Sequence, residues 1–506
     1  MAWAQLFWFP LNTAMAARDP DLFHASSGTH AAPLARTAGL TLTEQLAGHF
    51  AERIRQRLLA PGARLPSVRE CARRHEVSPT TVVAAYDQLL AQGLVEARAQ
   101  RGFFVRAPLG DASAPGAARS PAAPRSPVPI SATTLIRGMF QPPGAQPMPG
   151  LGTLPVEWLD PALLAGAMRK VSAQLGRSAL QYGEPAGEAR LRRALAARLV
   201  EHGIAAGAEQ IVTTVGTTHA LDIVTRTLLK PGESVLVDEP GWSVEYARLA
   251  ALGMRVLPVP RGPEGPDLAV MQRLVEAQPE GARPRLYVTV SVLHNPTGAS
   301  LSLQSAHKVL KLAQAHDFAI VEDDTYAHLA PAHLPRLAAL DALERTVYVS
   351  GFSKILTPSW RIGYIAAPAR WVDRLIDTKL LTTLTTPSMT ELALAHCLEH
   401  GLLRRHAERV QRLLDAARGR SVELARAHGC RFAAEPRGLF GWVDTGVDTE
   451  RLAQAMHDDG WLIAPGALFH ASPRPTTLMR INFATTQEAR FWLALQRARD
   501  ALRPLS

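Results

Sequence analysis

The sequence predicts a multidomain chain: a winged helix-turn-helix near the N-terminus, a linker, and a large α/β domain carrying a smaller α+β subdomain. Three observations lead there. Residues 39–106 hold three short helical patterns and then two β-rich runs around arginines. Residues 107–150 are rich in Ala, Pro, Gly and Ser and poor in large apolar side chains. Residues 151–506 alternate helical stretches with short, near-continuous apolar runs, the pattern of a mainly parallel sheet covered on both faces. A chain of 506 residues is expected to form two or three domains.

In the first unit, Leu42, Leu46, Phe50, Ile54 and Leu58 recur every four residues and mark an amphipathic helix. Pro61-Gly62 ends it. Ser67, with Glu70 three residues on, reads as the N-cap of a second helix with a capping box. Ser78-Pro79 opens a third, with Ser as cap and Pro in the first turn. Val82, Ala85, Tyr86 and Leu89 give it an inner face, and Gly93 stops it. Leu94–Ala97 and Gly102–Val105 then read as two short strands, with Arg98 to Arg101 between them. Ser78, Thr80 and Thr81 stand where a recognition helix meets base edges. Arg64, Arg69, Arg73, Arg74 and Arg101 suit phosphates, and Ser67 lies beside them. A plain three-helix structural module with solvated arginines is the competing reading.

Composition points the same way, weakly. The net charge is +10, which fits an anionic partner such as double-stranded DNA, although an arginine-rich composition alone would produce it. Three scattered cysteines, Cys71, Cys397 and Cys430, are too few for a disulfide framework or a zinc site. No metal is expected. The apolar start MAWAQLFWFPL is short and lacks a preceding basic region, so it makes a poor secretory signal. No run of 18 apolar residues suggests a membrane span. A cytoplasmic location is the expectation. Residues 1–38 read as a disordered extension or a product of start-site choice. The linker, roughly 40 residues long, could span many tens of ångströms.

Candidate strands of the large domain are 210–214, 234–238, 255–259, 285–290, 319–323, 346–350 and 363–366. Residues fit for holding a cofactor fall at their ends, where open α/β sheets bind ligands. Lys354 is the most informative. It sits in the small, hydroxyl-rich stretch Ser350-Gly351-Phe352-Ser353-Lys354, with Arg361 seven residues on, and the chain has only six lysines against 55 Lys+Arg. An amine there can form an imine with an aldehyde such as that of pyridoxal 5'-phosphate, and a guanidinium can fork onto the phosphate. Gly216-Thr217-Thr218 opens a helix after a strand and offers N–H groups and hydroxyls to the same phosphate. Trp242 could stack on the pyridine ring, or be a core aromatic. Asn295 could donate to the phenolate oxygen, and Tyr326 could reach it too. Asp323 could pair with the pyridinium nitrogen, Ser353 lies beside the phosphate, and Arg480 suits a substrate carboxylate.

Residues 61–70, 77–82, 85–89, 93–96 and 102–105 resemble the GntR-type DNA-binding domain throughout that unit. Cys71 stands where that family usually has leucine, a place a small buried thiol can fill. Asn295-Pro296-Thr297-Gly298, Asp323-x-x-Tyr326, Ser353-Lys354 with Arg361, and the late Arg480 together resemble fold-type-I aminotransferases over about 350 residues. The stretch Gln181–Gly187 also matches. There the resemblance implies that Tyr182 reaches the partner subunit's phosphate, hence a homodimer with shared sites. Gly351 departs from the pattern, which usually has Ser or Thr touching the phosphate. Either Ser350 or Ser353 compensates or phosphate affinity is lower.

The fused architecture is similar to the MocR-type transcriptional regulators. The resemblance implies a DNA-binding dimer whose aminotransferase-like domain binds pyridoxal 5'-phosphate through Lys354 and senses the cofactor or a small amine or amino acid. The alternative is a working transaminase with an accessory DNA-binding domain. A third reading, a mere dimerisation scaffold, is disfavoured by the intact lysine.

Overall fold

The structure is a computed structural model that describes residues 41–55, 59, 62–98, 102–106, 137, 148–176 and 180–502. The expectations for residues 1–38, Leu58, Pro61, Arg101 and nearly all of the linker therefore lie outside the described residues, as does the side chain of Arg74.

The N-terminal unit is α1 (Leu42–Arg55), α2 (Val68–Arg74), α3 (Pro79–Ala91), then the hairpin of β1 (Val95–Arg98) and β2 (Gly102–Val105). The strands pair antiparallel, Val95 opposite Val105 and Arg98 opposite Gly102. The predicted inner face of α3 is the observed one: Val82, Ala85, Tyr86 and Leu89 are fully buried against Leu46, Phe50 and Cys71. The Tyr86 hydroxyl finds Pro66 O at 3.0 Å, which satisfies the polar end of a buried ring. Ser67 caps α2 by accepting from Glu70 N at 3.3 Å, and Ser78 caps α3 by accepting from Thr81 N at 3.1 Å. Each cap satisfies an N–H that the helix itself leaves without a partner.

The large domain is built on an eight-stranded sheet, order β3-β10-β9-β8-β7-β4-β5-β6. Its strands are β3 (Ile211–Thr214), β4 (Ser234–Glu239), β5 (Arg255–Gly262), β6 (Gly265–Pro266), β7 (Leu286–Thr289), β8 (Ala319–Asp323), β9 (Thr346–Gly351) and β10 (Gly363–Ala366). The run β5-β4-β7-β8-β9 is parallel, as expected. The sheet as a whole is mixed, because β10 inserts antiparallel between β9 and β3. The link from β9 to β10 is too short for a crossover helix, so the chain turns back on itself.

Successive strand residues feed opposite faces. Val235, Val237, Leu286, Val288 and Val321 join one apolar layer under helices Gly216–Leu228 and Ser243–Ala251. Leu236, Tyr287 and Ile320 join the layer under helices Leu268–Glu276 and Leu303–Ala315. A period of two with both faces covered explains why these strands read as continuous apolar runs. The smaller subdomain is a four-stranded antiparallel sheet of β11 (Arg431–Phe432), β12 (Phe440–Asp444), β13 (Ala464–Pro465) and β14 (Leu478–Asn482).

Candidate functional site

The site residues of the large domain follow the C-terminal ends of β3, β4, β7, β8 and β9. Their order comes from the strand period. Val321 and Asp323, two apart on β8, point to one face, while Glu322 points to the other and accepts from Ser291 Oγ and from Leu337 and Ala338 N. Asp323 is buried, and its Oδ1 accepts from Thr325 N at 3.0 Å and Thr325 Oγ1 at 2.6 Å. Burial raises its pKa to about 7, against the lowering effect of those bonds. Such a carboxyl is poised for a cationic N–H partner, which would restore its charge.

Lys354 lies in the turn after β9, and burial brings its pKa down to about 8. The positive charges of Arg480 and Arg361 push the same way, and Asp323 opposes them. Those four groups therefore share one electrostatic neighbourhood. Arg361 has φ +50°, a left-handed backbone rare outside glycine, and its guanidinium donates to Val215 O at 3.2 Å and Ser353 Oγ at 3.3 Å. A Cβ on Gly216 would lie 2.6 Å from Arg361 Nη2, so glycine there lets the guanidinium meet the N-terminus of helix Gly216–Leu228. Free N–H groups, the adjacent Thr217 and Thr218, Ser353 and a guanidinium form an anion cradle.

Gly351 is explained at the same place. A Cβ on it would lie 2.6 Å from Thr217 Oγ1 and 3.3 Å from Ile362 O. The volume a Ser or Thr side chain would need is thus already taken by the Thr217 hydroxyl. Ser350 does not compensate: it is buried and donates to Asp324 O at 2.8 Å. Ser353, against Arg361, remains available.

Arg480 of β14 is only 6 % exposed. Its Nη1 donates to Asn295 Oδ1 at 2.8 Å and its Nη2 to Gly150 O at 2.6 Å, while the guanidinium lies over the rings of Phe440 (4.5 Å) and Phe469 (5.0 Å). Its Nε has no partner among the described residues. Burial lowers its pKa to about 10, so it stays cationic at neutral pH. With its carbonyl oxygen engaged, Asn295 keeps its NH₂ as a donor. Tyr326 is buried edge-on to Phe440 at 5.4 Å; burial raises its pKa, so its hydroxyl stays protonated.

Trp242 and Tyr182 are the remaining candidates. Trp242 stands half-buried at the start of helix Ser243–Ala251 and packs on the apolar layer of the sheet. Tyr182, assigned to the partner subunit's phosphate, is 85 % exposed.

Several site features escaped sequence reasoning. Asp324, beside Asp323, anchors the scaffold: it accepts from Arg336 Nε and Tyr348 Oη, each at 2.9 Å. Asp238 at the end of β4 is bound by Arg261, Tyr287 and Thr289. A strand-end acid followed by a distant arginine was the available signal for both, but pairing across 12 and 23 residues is a tertiary fact. Gly150, assigned to the linker, is packed: its N donates to Leu462 O at 2.7 Å.

In the N-terminal unit, Arg64, Ser67, Arg69, Arg73, Ser78 and Thr80 are exposed and Thr81 is half-buried. The Ser78 hydroxyl bonds those of Thr80 and Thr81, each at 2.7 Å, which pre-orders the start of α3. Arg64 bridges to Phe104 of the wing, and Arg98 lies over the Phe104 ring at 4.4 Å. Among the described residues no cluster could hold a metal ion, no helix is long and apolar enough to cross a membrane, and all three cysteines are buried and form no disulfide.

A helix-turn-helix with a wing, joined to a strand-end site holding a lysine, an aspartate and two arginines, defines a DNA-binding protein with an aminotransferase-like domain. Residues 42–105 match the gntR family of bacterial regulatory proteins, and residues 154–497 match aminotransferase class I and II. The HTH-type transcriptional regulator TauR of Rhodobacter capsulatus is 31% identical, over 81% of this chain and 85% of its own length. YdcR of Escherichia coli, also named an HTH-type transcriptional regulator, is 29% identical over 87% of this chain and 94% of its own. The crystal structure of LysN, an alpha-aminoadipate aminotransferase of Thermus thermophilus solved with N-(5'-phosphopyridoxyl)-L-leucine, superposes with a TM-score of 0.64. It is 25% identical and covers 70% of this chain and 92% of its own. The chain belongs to the MocR-type transcriptional regulators, GntR-type winged helices fused to an aminotransferase class I and II domain.

Proposed function

We propose that the chain regulates transcription by reading a small amine or amino acid through pyridoxal 5'-phosphate held at Lys354. The observation that carries this reading is the shared neighbourhood of Lys354, Asp323, Arg361 and Arg480. The cofactor fits these residues. The cradle of Thr217, Thr218, Ser353 and Arg361 suits its phosphate, Asp323 its ring nitrogen, Asn295 and Tyr326 its phenolate oxygen, and Lys354 its aldehyde. When bound, it supplies a carbonyl that primary amines can capture and a ring that withdraws electrons.

The remaining work belongs to the protein. Burial keeps a useful share of Lys354 neutral, hence nucleophilic. Asp323 holds a proton-rich partner by regaining its charge. Arg480 orients a ligand carboxylate. Tyr182, exposed on its own protomer, suits the phosphate of a second copy, so we read the active form as a cytoplasmic homodimer. Ser78, Thr80 and Thr81 meet base edges, and Arg64, Ser67, Arg69 and Arg101 meet the backbone of an operator duplex.

The test is a spectral screen of amines on purified protein with pyridoxal 5'-phosphate, with DNA affinity read in parallel. The reading expects an imine absorbance band that shifts with some amine and a matching change in DNA affinity, because a ligand acts only by binding two conformations unequally. The second reading, a working transaminase, draws on the completeness of the same residue set. Sustained keto-acid-dependent turnover with no effect on DNA binding would establish it instead.

A further inference from the structure

Helices Pro161–Leu175, Ser388–Glu399 and Leu402–Ala427 border an open cavity of about 730 Å³. Arg169, Lys170, Arg405, Arg409, His396 and His406 line it. Arg405 and Arg409 are four apart and so share one face of their helix. Among the described residues Asp160 is the only carboxylate of the lining, and it is engaged: its Oδ1 caps the first helix by accepting from Leu163 N at 2.9 Å. Arg169, Lys170 and Arg405 are exposed and make no ion pair among the described residues. Leu163, Ala167 and Leu402 give the cavity an apolar floor. Concentrated positive charge over an apolar base suits an anion with a carbon skeleton, and the volume lies in the range of small-molecule sites.

The cavity touches the lysine loop through one side chain. His406 is buried; its Nε2 donates to Ile355 O at 2.7 Å, and its Nδ1 accepts from Arg409 Nη2 at 3.1 Å. Arg409 Nη2 also donates to Trp158 O at 2.6 Å. Ile355 directly follows Lys354. An anion that draws Arg409 toward itself therefore acts on the histidine that holds the carbonyl beside the lysine.

We propose that this cavity is a second ligand site, for small organic polyanions bearing carboxylate or phosphate groups, and that the Arg409–His406–Ile355 chain couples its occupancy to Lys354. Binding to the cavity is independent of the cofactor reading; only the coupling rests on it. Coupling of two sites must be reciprocal: the anion changes cofactor affinity by the factor by which the cofactor changes anion affinity.

The experiment is calorimetric titration of the full chain with citrate and, separately, pyrophosphate, at matched ionic strength, with and without saturating pyridoxal 5'-phosphate. The two probes distinguish a carboxylate source from a phosphate source. Saturable binding of at least one is expected, weakened about tenfold or more in the double variant K170E/R405E, whose side chains are exposed. The proposal is overturned if neither probe saturates, or if K170E/R405E binds as wild type does. It also fails if that variant loses affinity for duplex DNA while wild type binds neither probe, since the face would then meet a nucleic-acid backbone. For the coupling, cofactor affinity should change about fivefold or more with citrate or pyrophosphate bound; an unchanged affinity in wild type refutes it. Absence of an imine band would sink the cofactor reading and leave the cavity result standing.

Discussion

Replacing Gly351 by serine should weaken binding of the cofactor that the anion cradle suits, although serine restores the residue usual in fold-type-I aminotransferases. The reason is local packing. The new Cβ would meet Thr217 Oγ1 at 2.6 Å, closer than real Cβ contacts, and Ile362 O at 3.3 Å. Overfilling a packed site costs about 1–3 kcal/mol. If the strain falls on the cradle, that is about a 5- to 150-fold loss of affinity for pyridoxal 5'-phosphate. Thr217→Ala alone should also weaken the cofactor, because a hydroxyl bonded to a charged group contributes about 1.5–3 kcal/mol.

The informative case is the pair. In T217A/G351S the clashing oxygen is gone and a serine hydroxyl enters the same volume, so the double variant should bind better than the product of the single losses predicts. Equilibrium titration of the imine absorbance in all four proteins measures this, and the coupling energy follows from the cycle. Additive losses would refute the argument, since they would mean that the Thr217 hydroxyl and the introduced serine side chain do not compete for one place.

Lys354→Ala should abolish the imine band while leaving the winged helix able to bind DNA; an unchanged spectrum refutes the lysine assignment. Because burial brings the Lys354 pKa to about 8, the rate of cofactor capture by cofactor-free protein should rise about tenfold from pH 7 to pH 9 and then level off; stopped-flow absorbance that keeps rising to pH 10.5 contradicts this. Asp323 has a folded pKa of about 7, above its unfolded value, so its contribution to stability is full below about pH 4 and lost as pH rises through 7. Asp323→Asn should therefore make thermal stability of the cofactor-free protein less sensitive to pH between about 4 and 7, yet weaken cofactor retention. Duplex binding should fall steeply with salt, and Arg64→Ala or Arg69→Ala should each lower the log–log slope by about 1; a flat response counts against the winged-helix interface.

The sequence carried the parts of this molecule that are periodic or local. The inner face of α3, the caps Ser67 and Ser78, and the strands read as ending at Thr214, Asp323 and Ser350 are set by spacings of two to four residues, and the structure keeps them, the last one residue longer. What it could not carry was pairing at a distance. The antiparallel insertion of β10 depends on a short return after the Lys354 turn, and nothing in Gly363–Ala366 distinguishes it from a parallel strand. Asp324 with Arg336, and Asp238 with Arg261, are scaffold pairs whose partners lie in other elements. Ser350 and Ser353 were equal candidates to replace a missing hydroxyl until the structure turned Ser350 toward Asp324 and brought Thr217 to Gly351.

The position of Gly150 joins the two halves of the chain in a way that neither domain shows alone. Its carbonyl is held by Arg480, the residue proposed for a ligand carboxylate. Immediately beyond it, Leu151 O and Thr153 O are both bound by Asn482 Nδ2, on the same strand as Arg480. A carboxylate that takes both η nitrogens of Arg480 must compete with Gly150 O and Asn295 Oδ1 together. The backbone at Gly150 and the proposed ligand site thus share one guanidinium. A carboxylate outcompetes a neutral carbonyl for it, because it adds an ion pair and two parallel N–H···O bonds to a donor that is charged in either case. If the proposed reading holds, that competition would supply the differential contact which a change of shape on DNA requires, and it would place the requirement on the carboxylate of the ligand rather than on its side chain.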